Sequence, residues 1–212
     1  MTALLNETFI PQGLSVPRPL LIALHGGGRD GASQIDLWKP LAEKEKIIVL
    51  APNSLKPPFI EATWFTANDG QNLADKVNEV LKRYPVDGNM IYCFGHSVGA
   101  TKALGLGYDN RHFIAAIALH SPMQASGIYH FKPEPGSRRL PMGVWVGEES
   151  RDSNWHCAST LQYAYKEHPN LSCELNVLPN HQHNGIYTRA GLTDEIWAFL
   201  QQHTLATPKT PA

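Results

Sequence analysis

Short apolar runs alternate with amphipathic stretches along most of the chain. The apolar runs have the length and the aliphatic, β-branched content of buried strands. Such an alternation is typical of a parallel sheet whose strands are joined by crossover helices. It predicts strands over residues 19–24, 46–51, 89–94, 113–119, 141–146 and 172–178.

The amphipathic stretches predict helices between these strands. From residue 73 to residue 84 apolar side chains recur at helical spacing, and charged side chains occupy the opposite face. This pattern is typical of a helix that packs one face against a sheet. We assign its apolar stripe to the core: Leu73, Val77, Val80, Leu81 and Tyr84. Further helices are predicted over residues 33–44, 97–106, 155–168 and 193–203.

Size and charge narrow the class of protein. The chain has 212 residues, of which 42% are hydrophobic, and this suits one domain over residues 1–205 followed by a disordered tail, 206–212. A formal net charge of -1 gives no basic face for nucleic acid.

No apolar run approaches the roughly 20 residues that span a bilayer, and the first residues do not resemble a signal peptide. We therefore expect a cytoplasmic protein with a small-molecule partner. An exported protein whose signal peptide had been removed would show the same sequence pattern. The oligomeric state stays open.

Polar residues cluster directly after four of the predicted strands. Glycines 26–28 follow the first strand, a serine turn the third, acidic residues the fifth and histidines the sixth. Since parallel strands end at the same edge of a sheet, we expect these four segments to meet there. The candidate residues are Ser97, Glu149, Asp152, His181 and His183.

The serine turn has the pattern Gly-x-Ser-x-Gly, from Gly95 to Gly99. A serine hydroxyl becomes a nucleophile only when a base removes its proton, and the base needs an acid that orients it. The chain order serine, acid, histidine predicts Ser97 as the nucleophile, Asp152 as the acid and His183 as the base. The alternative acid is Glu149, and the alternative base is His181.

The segments LIALHGGG, VDGNMIYCFGHSVGATKAL, VWVGEESRD and NVLPNHQHN together resemble an α/β-hydrolase, and the resemblance extends from residue 19 to residue 200. It is closest to small cap-less esterases related to dienelactone hydrolases, polyhydroxyalkanoate depolymerases and feruloyl esterases. The resemblance implies an α/β fold with a mainly parallel, twisted sheet flanked by helices and without a large cap domain. It also implies a serine carboxylesterase whose oxyanion hole is formed by the backbone N–H groups of Gly27 and Val98. No metal or organic cofactor is implied.

Two positions depart from the pattern of that family. The acid usually stands three residues after the glycine that ends its strand, and this position is Ser150 here. The histidine loop commonly reads Pro-Gly-x-x-His, but Asn180 replaces the glycine, so His181 competes with His183. Ser150 also leaves open a catalytically inactive ligand-binding protein on the same scaffold. The same triad would also serve a peptidase or an acyltransferase.

A substrate pocket is the least defined part of the prediction. Trp64, Met123 and Trp155 stand near strand ends and are candidates for its lining, with core packing as the alternative for each. His181 and His183 could form a metal-binding pair, but no third ligand has suitable spacing, so we expect no metal. With no room for a large cap, we expect an open site that accepts small or bulky-alcohol esters.

Overall fold

The computed structural model describes residues 7–55, 64, 69–122, 138–148, 162 and 171–205. Its helices are α1 (Gly31–Glu45), α2 (Asp69–Arg83), α3 (Val98–Asp109) and α4 (Leu192–Leu200), with a short 3₁₀ helix at Gly185–Tyr187. Its strands are β1 (Thr8–Phe9), β2 (Arg18–Leu24), β3 (Ile48–Leu50), β4 (Val86–His96), β5 (Ala116–His120), β6 (Leu140–Gly147) and β7 (Leu171–Leu178).

The strands form one seven-stranded sheet in the order β1-β3-β2-β4-β5-β6-β7. The pairings from β3 to β7 are parallel, and β1 pairs with β3 in the antiparallel direction. This architecture confirms the predicted α/β class and the mainly parallel sheet, and the described residues include no large cap domain. The carboxyl ends of β2, β4, β5, β6 and β7 therefore lie along one edge.

Successive side chains of β2 point to opposite faces of the sheet, which separates two hydrophobic cores. Leu20, Ile22 and Leu24 face the cluster that contains α2 and α3. Leu21 and Ala23 face the cluster that contains α1 and α4. All five side chains are fully buried, as expected for a central strand that helices cover on both faces.

The six predicted strands are confirmed, but two details differ from the sequence-based expectation. The sheet has a seventh strand, β1, whose two residues are too short for a periodic signal. Leu81 was predicted to lie in the core but is 38% exposed, whereas Leu73 and Val80 are fully buried. At about 100° per residue, Leu81 lies roughly 70° from the centre of the stripe, so it falls at the margin of the buried face.

Two predicted segments lie outside the described residues: the helix over 155–168, except Gln162, and the tail over 206–212. Within the described ranges, no helix combines the length and the apolar character needed to cross a membrane.

Candidate active site

The chain turns sharply at Ser97, between the end of β4 and the start of α3. Ser97 has φ 57° and ψ -122°, a combination that non-glycine residues rarely adopt. Its backbone N–H donates to the carbonyl oxygen of His120 at 2.9 Å, so the turn is attached to the neighbouring strand β5. The serine therefore stands at the carboxyl edge of the sheet, between a strand and the N-terminus of a helix.

Glycines on both sides of Ser97 allow this turn to pack closely. A β-carbon on Gly95 would lie 2.2 Å from the carbonyl oxygen of Gly99. A β-carbon on Gly99 would lie 2.4 Å from the carbonyl oxygens of Leu24 and His25 at the end of β2. Since these neighbours are backbone atoms, no side-chain rearrangement makes room, and the Gly-x-Ser-x-Gly pattern has a steric cause here.

His183 contacts the serine directly. Its Nε2 atom lies 3.0 Å from Ser97 Oγ, which is hydrogen-bond distance. The imidazole comes from the loop after β7 and is half-buried. With Nε2 unprotonated, this atom can accept the hydroxyl proton, which is the arrangement a general base requires.

His181 has different surroundings, although it is only two residues away. It is 3% exposed, and its Nε2 atom lies 2.8 Å from Nε2 of His120. A β-carbon on Gly185 would lie 2.3 Å from its ring, so the backbone of the 3₁₀ helix packs against the imidazole. Of the two candidate histidines, the structure thus brings His183 to Ser97 and places His181 against His120.

The glycine loop after β2 lies against the serine turn. A β-carbon on Gly26 would lie 2.8 Å from His96 Cδ2 and 3.2 Å from Ser97 Cβ, so the loop backbone approaches both residues closely. The next residue, Gly27, is exposed. Val98 is the first residue of α3, and an N–H at that position has no acceptor within its own helix. The glycine loop at Gly26 and the start of α3 at Val98 therefore both adjoin the serine turn, while the role of Gly27 and Val98 as oxyanion donors stays a prediction.

The side chains of His25 and Trp64 hydrogen-bond to the backbone of this loop. The N–H of Ser54 donates to His25 Nε2 at 3.2 Å, which leaves Nδ1–H to donate to the carbonyl oxygen of Gly26 at 2.9 Å. Trp64 donates its indole N–H to the carbonyl oxygen of His25 at 2.8 Å. Burial lowers the pKa of His25 below its usual value, so the ring stays neutral and keeps this tautomer.

Trp64, predicted as a pocket residue, is 2% exposed and borders a cavity of about 510 Å³ between α2 and α3. Among the described residues that line this cavity, neither Ser97 nor His183 occurs. The other predicted pocket residues, Met123 and Trp155, lie outside the described residues, as do both candidate acids, Asp152 and Glu149.

Sequence reasoning missed a hydrogen-bonded chain of three buried histidines that ends at the exposed Asn184. His181 Nε2 lies 2.8 Å from His120 Nε2, His120 Nδ1 lies 3.0 Å from His96 Nδ1, and His96 Nε2 lies 3.3 Å from Asn184 Oδ1. Burial lowers the pKa of His96 to about 3 and that of His120 well below its usual value. The available signal was a histidine at the ends of both β4 and β5, which the parallel register places side by side.

An aromatic and a cationic side chain lie next to His96. The edge-to-face contact between the rings of His96 and Tyr187 has a centroid separation of 5.4 Å, and the Arg29 guanidinium lies 4.0 Å above the centre of the Tyr187 ring. Gln34 donates to the Tyr187 hydroxyl at 2.8 Å. Among the described residues, no group of three or more His, Cys, Asp or Glu side chains is arranged to hold a metal ion.

The overall structure of the chain, but not its sequence, resembles known proteins. No protein-family model matches the chain, and no curated protein matches its sequence. Many solved structures resemble it, and three of them are described next. A thermostable esterase has a TM-score of 0.69 and 17% identity; the match covers 93% of this chain but only 58% of the esterase. An S-formylglutathione hydrolase from Agrobacterium tumefaciens has a TM-score of 0.70 and 12% identity, over 92% of this chain and 88% of the hydrolase. A dienelactone hydrolase from Anabaena variabilis has a TM-score of 0.62 and 14% identity, over 93% of this chain and 90% of that protein.

Each of these matches covers more than nine-tenths of this chain. At 12% to 17% sequence identity, these matches support the fold of the chain and nothing beyond it. The chain has the α/β-hydrolase fold.

Proposed function

We propose that this chain is a serine hydrolase that cleaves carboxylic esters through an acyl-enzyme on Ser97. The observation that carries the proposal is the 3.0 Å contact between His183 Nε2 and Ser97 Oγ. The contact lies beside a glycine loop and a helix N-terminus, which are the two usual sources of oxyanion donors. The esterases and hydrolases among the structural neighbours favour the same reaction class.

In the first half of the reaction, His183 Nε2 takes the proton of Ser97 Oγ while the oxygen attacks the ester carbonyl carbon. The carbonyl oxygen becomes negatively charged, and the N–H groups of Gly27 and Val98 donate to it. The tetrahedral intermediate collapses with loss of the alcohol, which takes the proton from His183. The dipole of α3, whose N-terminus faces the site, stabilises the same negative charge.

In the second half, His183 removes a proton from water, and the hydroxide oxygen attacks the acyl-enzyme carbon. Collapse returns the proton to Ser97 and releases the carboxylic acid. Asp152 is the proposed acid that accepts from His183 Nδ1–H and fixes its tautomer, with Glu149 as the alternative. The absence of a large cap domain among the described residues favours small or bulky-alcohol esters.

Covalent labelling with a fluorophosphonate tests the central step. We expect labelling of the wild-type protein at Ser97, loss of labelling in Ser97→Ala, and a loss of ester turnover of at least about 10³-fold. Ser15→Ala, which changes an exposed serine, is the matched control and should behave as wild type. Absence of labelling in the wild type would contradict the proposal and would favour a ligand-binding protein on a hydrolase scaffold.

The acid is tested by exchanging each carboxylate for its amide. Asp152→Asn should lower kcat by roughly 10²- to 10⁴-fold because the amide favours the wrong histidine tautomer. Glu149→Gln should change kcat by less than about tenfold. The reverse pattern of effects on nitrophenyl ester hydrolysis would transfer the role to Glu149.

A further inference from the structure

The chain from His181 through His120 and His96 to Asn184 joins three segments of the protein. His96 ends β4, His120 ends β5, and the other two residues belong to the loop after β7. The three imidazoles are 1%, 0% and 3% exposed for His96, His120 and His181. Buried polar groups are costly unless they are hydrogen-bonded, and the chain provides a partner at each of its contacts.

The positions of the protons follow from the contacts. A neutral imidazole has one N–H donor and one acceptor nitrogen. Since Asn184 Oδ1 only accepts, His96 donates to it from Nε2 and must accept at Nδ1. His120 therefore donates from Nδ1 and accepts at Nε2, and His181 donates from Nε2. His96 and His120, whose pKa values burial lowers, are neutral, and every hydrogen bond runs in the same direction.

His96 also contacts the parts of the site that must be aligned. Its ring lies against that of His183, with a centroid distance of 5.0 Å and an angle of 44° between the planes. Gly26 packs against the ring at Cδ2, and Tyr187 makes an edge-to-face contact with it. The hydrogen bonds at both ring nitrogens therefore hold His96 in one orientation, and this ring forms one wall for the imidazole of His183.

We propose that His96 is a positioning residue for His183, held in place by its hydrogen bonds to His120 and Asn184. The inference rests on the proposed role of His183 as the general base. His96 contacts the ring of the proposed base, so it acts on the reaction through the orientation of His183 toward Ser97. Misplacement of a reacting group by about 1 Å can cost about 10²-fold in rate, so a small rotation of His183 is sufficient for a measurable effect.

The charge of His96 is compatible with this role. Burial, together with the nearby His183 and Arg29, lowers the pKa of His96, while its contacts with Asn184 and His120 act in the opposite direction. His120 faces His96, His181 and His183, and burial dominates its lowered pKa as well. The wall beside His183 thus stays uncharged when His183 accepts the serine proton, and it adds no positive charge next to the developing imidazolium.

Steady-state kinetics with a nitrophenyl ester test the positioning role. His96→Leu replaces the imidazole with an apolar side chain and so removes its hydrogen bonds. We expect kcat to fall about 10- to 100-fold, with KM within about twofold of the wild-type value. His96→Gln can still donate and accept, so it should recover part of the lost kcat. His112→Leu changes an exposed histidine and should match the wild type. Unchanged kcat in folded His96→Leu would overturn the proposal, as would an equal loss in His96→Gln.

Nitrogen-15 NMR of the wild-type protein supplies a readout that does not depend on activity. The expected tautomers carry the proton on Nε2 in His96 and His181 and on Nδ1 in His120, without protonation of His96 between pH 7 and pH 5. The opposite set of tautomers, or protonation of His96 in that range, would overturn the proposal.

The test remains available if His96→Leu does not fold. Asn184 is exposed, so Asn184→Ala should fold and should lower kcat about 3- to 10-fold at constant KM; unchanged kcat would overturn the proposal. Failure of the proposed function looks different: the wild type itself would neither hydrolyse esters nor react with the fluorophosphonate.

Discussion

His181 and His183 are two residues apart in the sequence, and their surroundings predict different effects of mutation. His183→Ala should lower kcat by at least about 10³-fold, because nucleophile and base act as a unit. His181→Ala should lower kcat by less than about tenfold. It should instead lower the melting temperature, since it leaves Nε2 of the buried His120 without its donor. Kinetics and thermal unfolding of the two variants separate these effects.

The two variants serve as controls for each other, since each removes one histidine from the same loop. A greater loss of kcat in His181→Ala than in His183→Ala would assign the base to His181. That result would mean that the loop after β7 rearranges when an ester binds.

The same pair shows what sequence can determine for single residues. The order of Ser97 and the histidines along the chain predicts their chemistry, because parallel strands bring their carboxyl ends to one edge. It leaves His181 and His183 as alternatives, because a loop residue has no periodicity that fixes its direction. The contact between His96 and His120 depends on strand register and on side-chain rotamers, which the pattern of apolar residues does not encode.

Among the helices and strands, the approach of α3 to β2 depends on one residue. Gly99→Ala places a methyl group 2.4 Å from two backbone oxygens at the end of β2, so the helix must move away from the strand. We expect a loss of at least about 2 kcal/mol in the free energy of unfolding and a large loss of esterase activity. Urea unfolding and turnover assays measure the two effects.

Gly105→Ala is the matched control on the same helix. Its β-carbon would meet no atom within 4 Å, so the change should raise the free energy of unfolding by about 0.5–1 kcal/mol through helix propensity. Equal stabilities of the two variants would show that α3 and β2 are less tightly packed than the close contacts indicate.

The strands and helices were largely predictable from hydrophobic periodicity, because both faces of the sheet are covered. A central strand such as β2 is then a continuous apolar run, which is easy to recognise. The exceptions have local causes. β1 consists of two residues at the sheet edge, and Leu81 lies at the margin of an amphipathic face, where periodicity no longer distinguishes buried from exposed positions.

For the whole molecule, the buried histidines predict a loss of stability in acid. Burial lowers the pKa of His25, His96 and His120, whereas unfolded histidines titrate near 6.5. Below that pH the unfolded chain binds protons that the folded chain does not, so stability falls as pH decreases. The expected slope is about 1.4 kcal/mol per pH unit for each such histidine until its folded pKa is reached, which is about 3 for His96.

Urea unfolding at pH 7, 6 and 5 measures this slope. His112→Gln, which changes an exposed histidine, should show the same dependence as the wild type. A midpoint that stays constant from pH 7 to pH 5 would mean that the buried rings take up protons in the folded protein as readily as in the unfolded chain, which would contradict the prediction.

The backbone conformation of Ser97 has a consequence for the balance between activity and durability. At φ 57° and ψ -122° any residue with a β-carbon is strained, at a cost of about 1–3 kcal/mol, and glycine is not. Ser97→Gly should therefore be inactive but more resistant to heat than Ser97→Ala, which keeps the strain; calorimetry of the two variants would reveal the difference, and equal melting temperatures would contradict it. The position that carries the proposed chemistry is thus the one where selection for stability alone would favour a different residue.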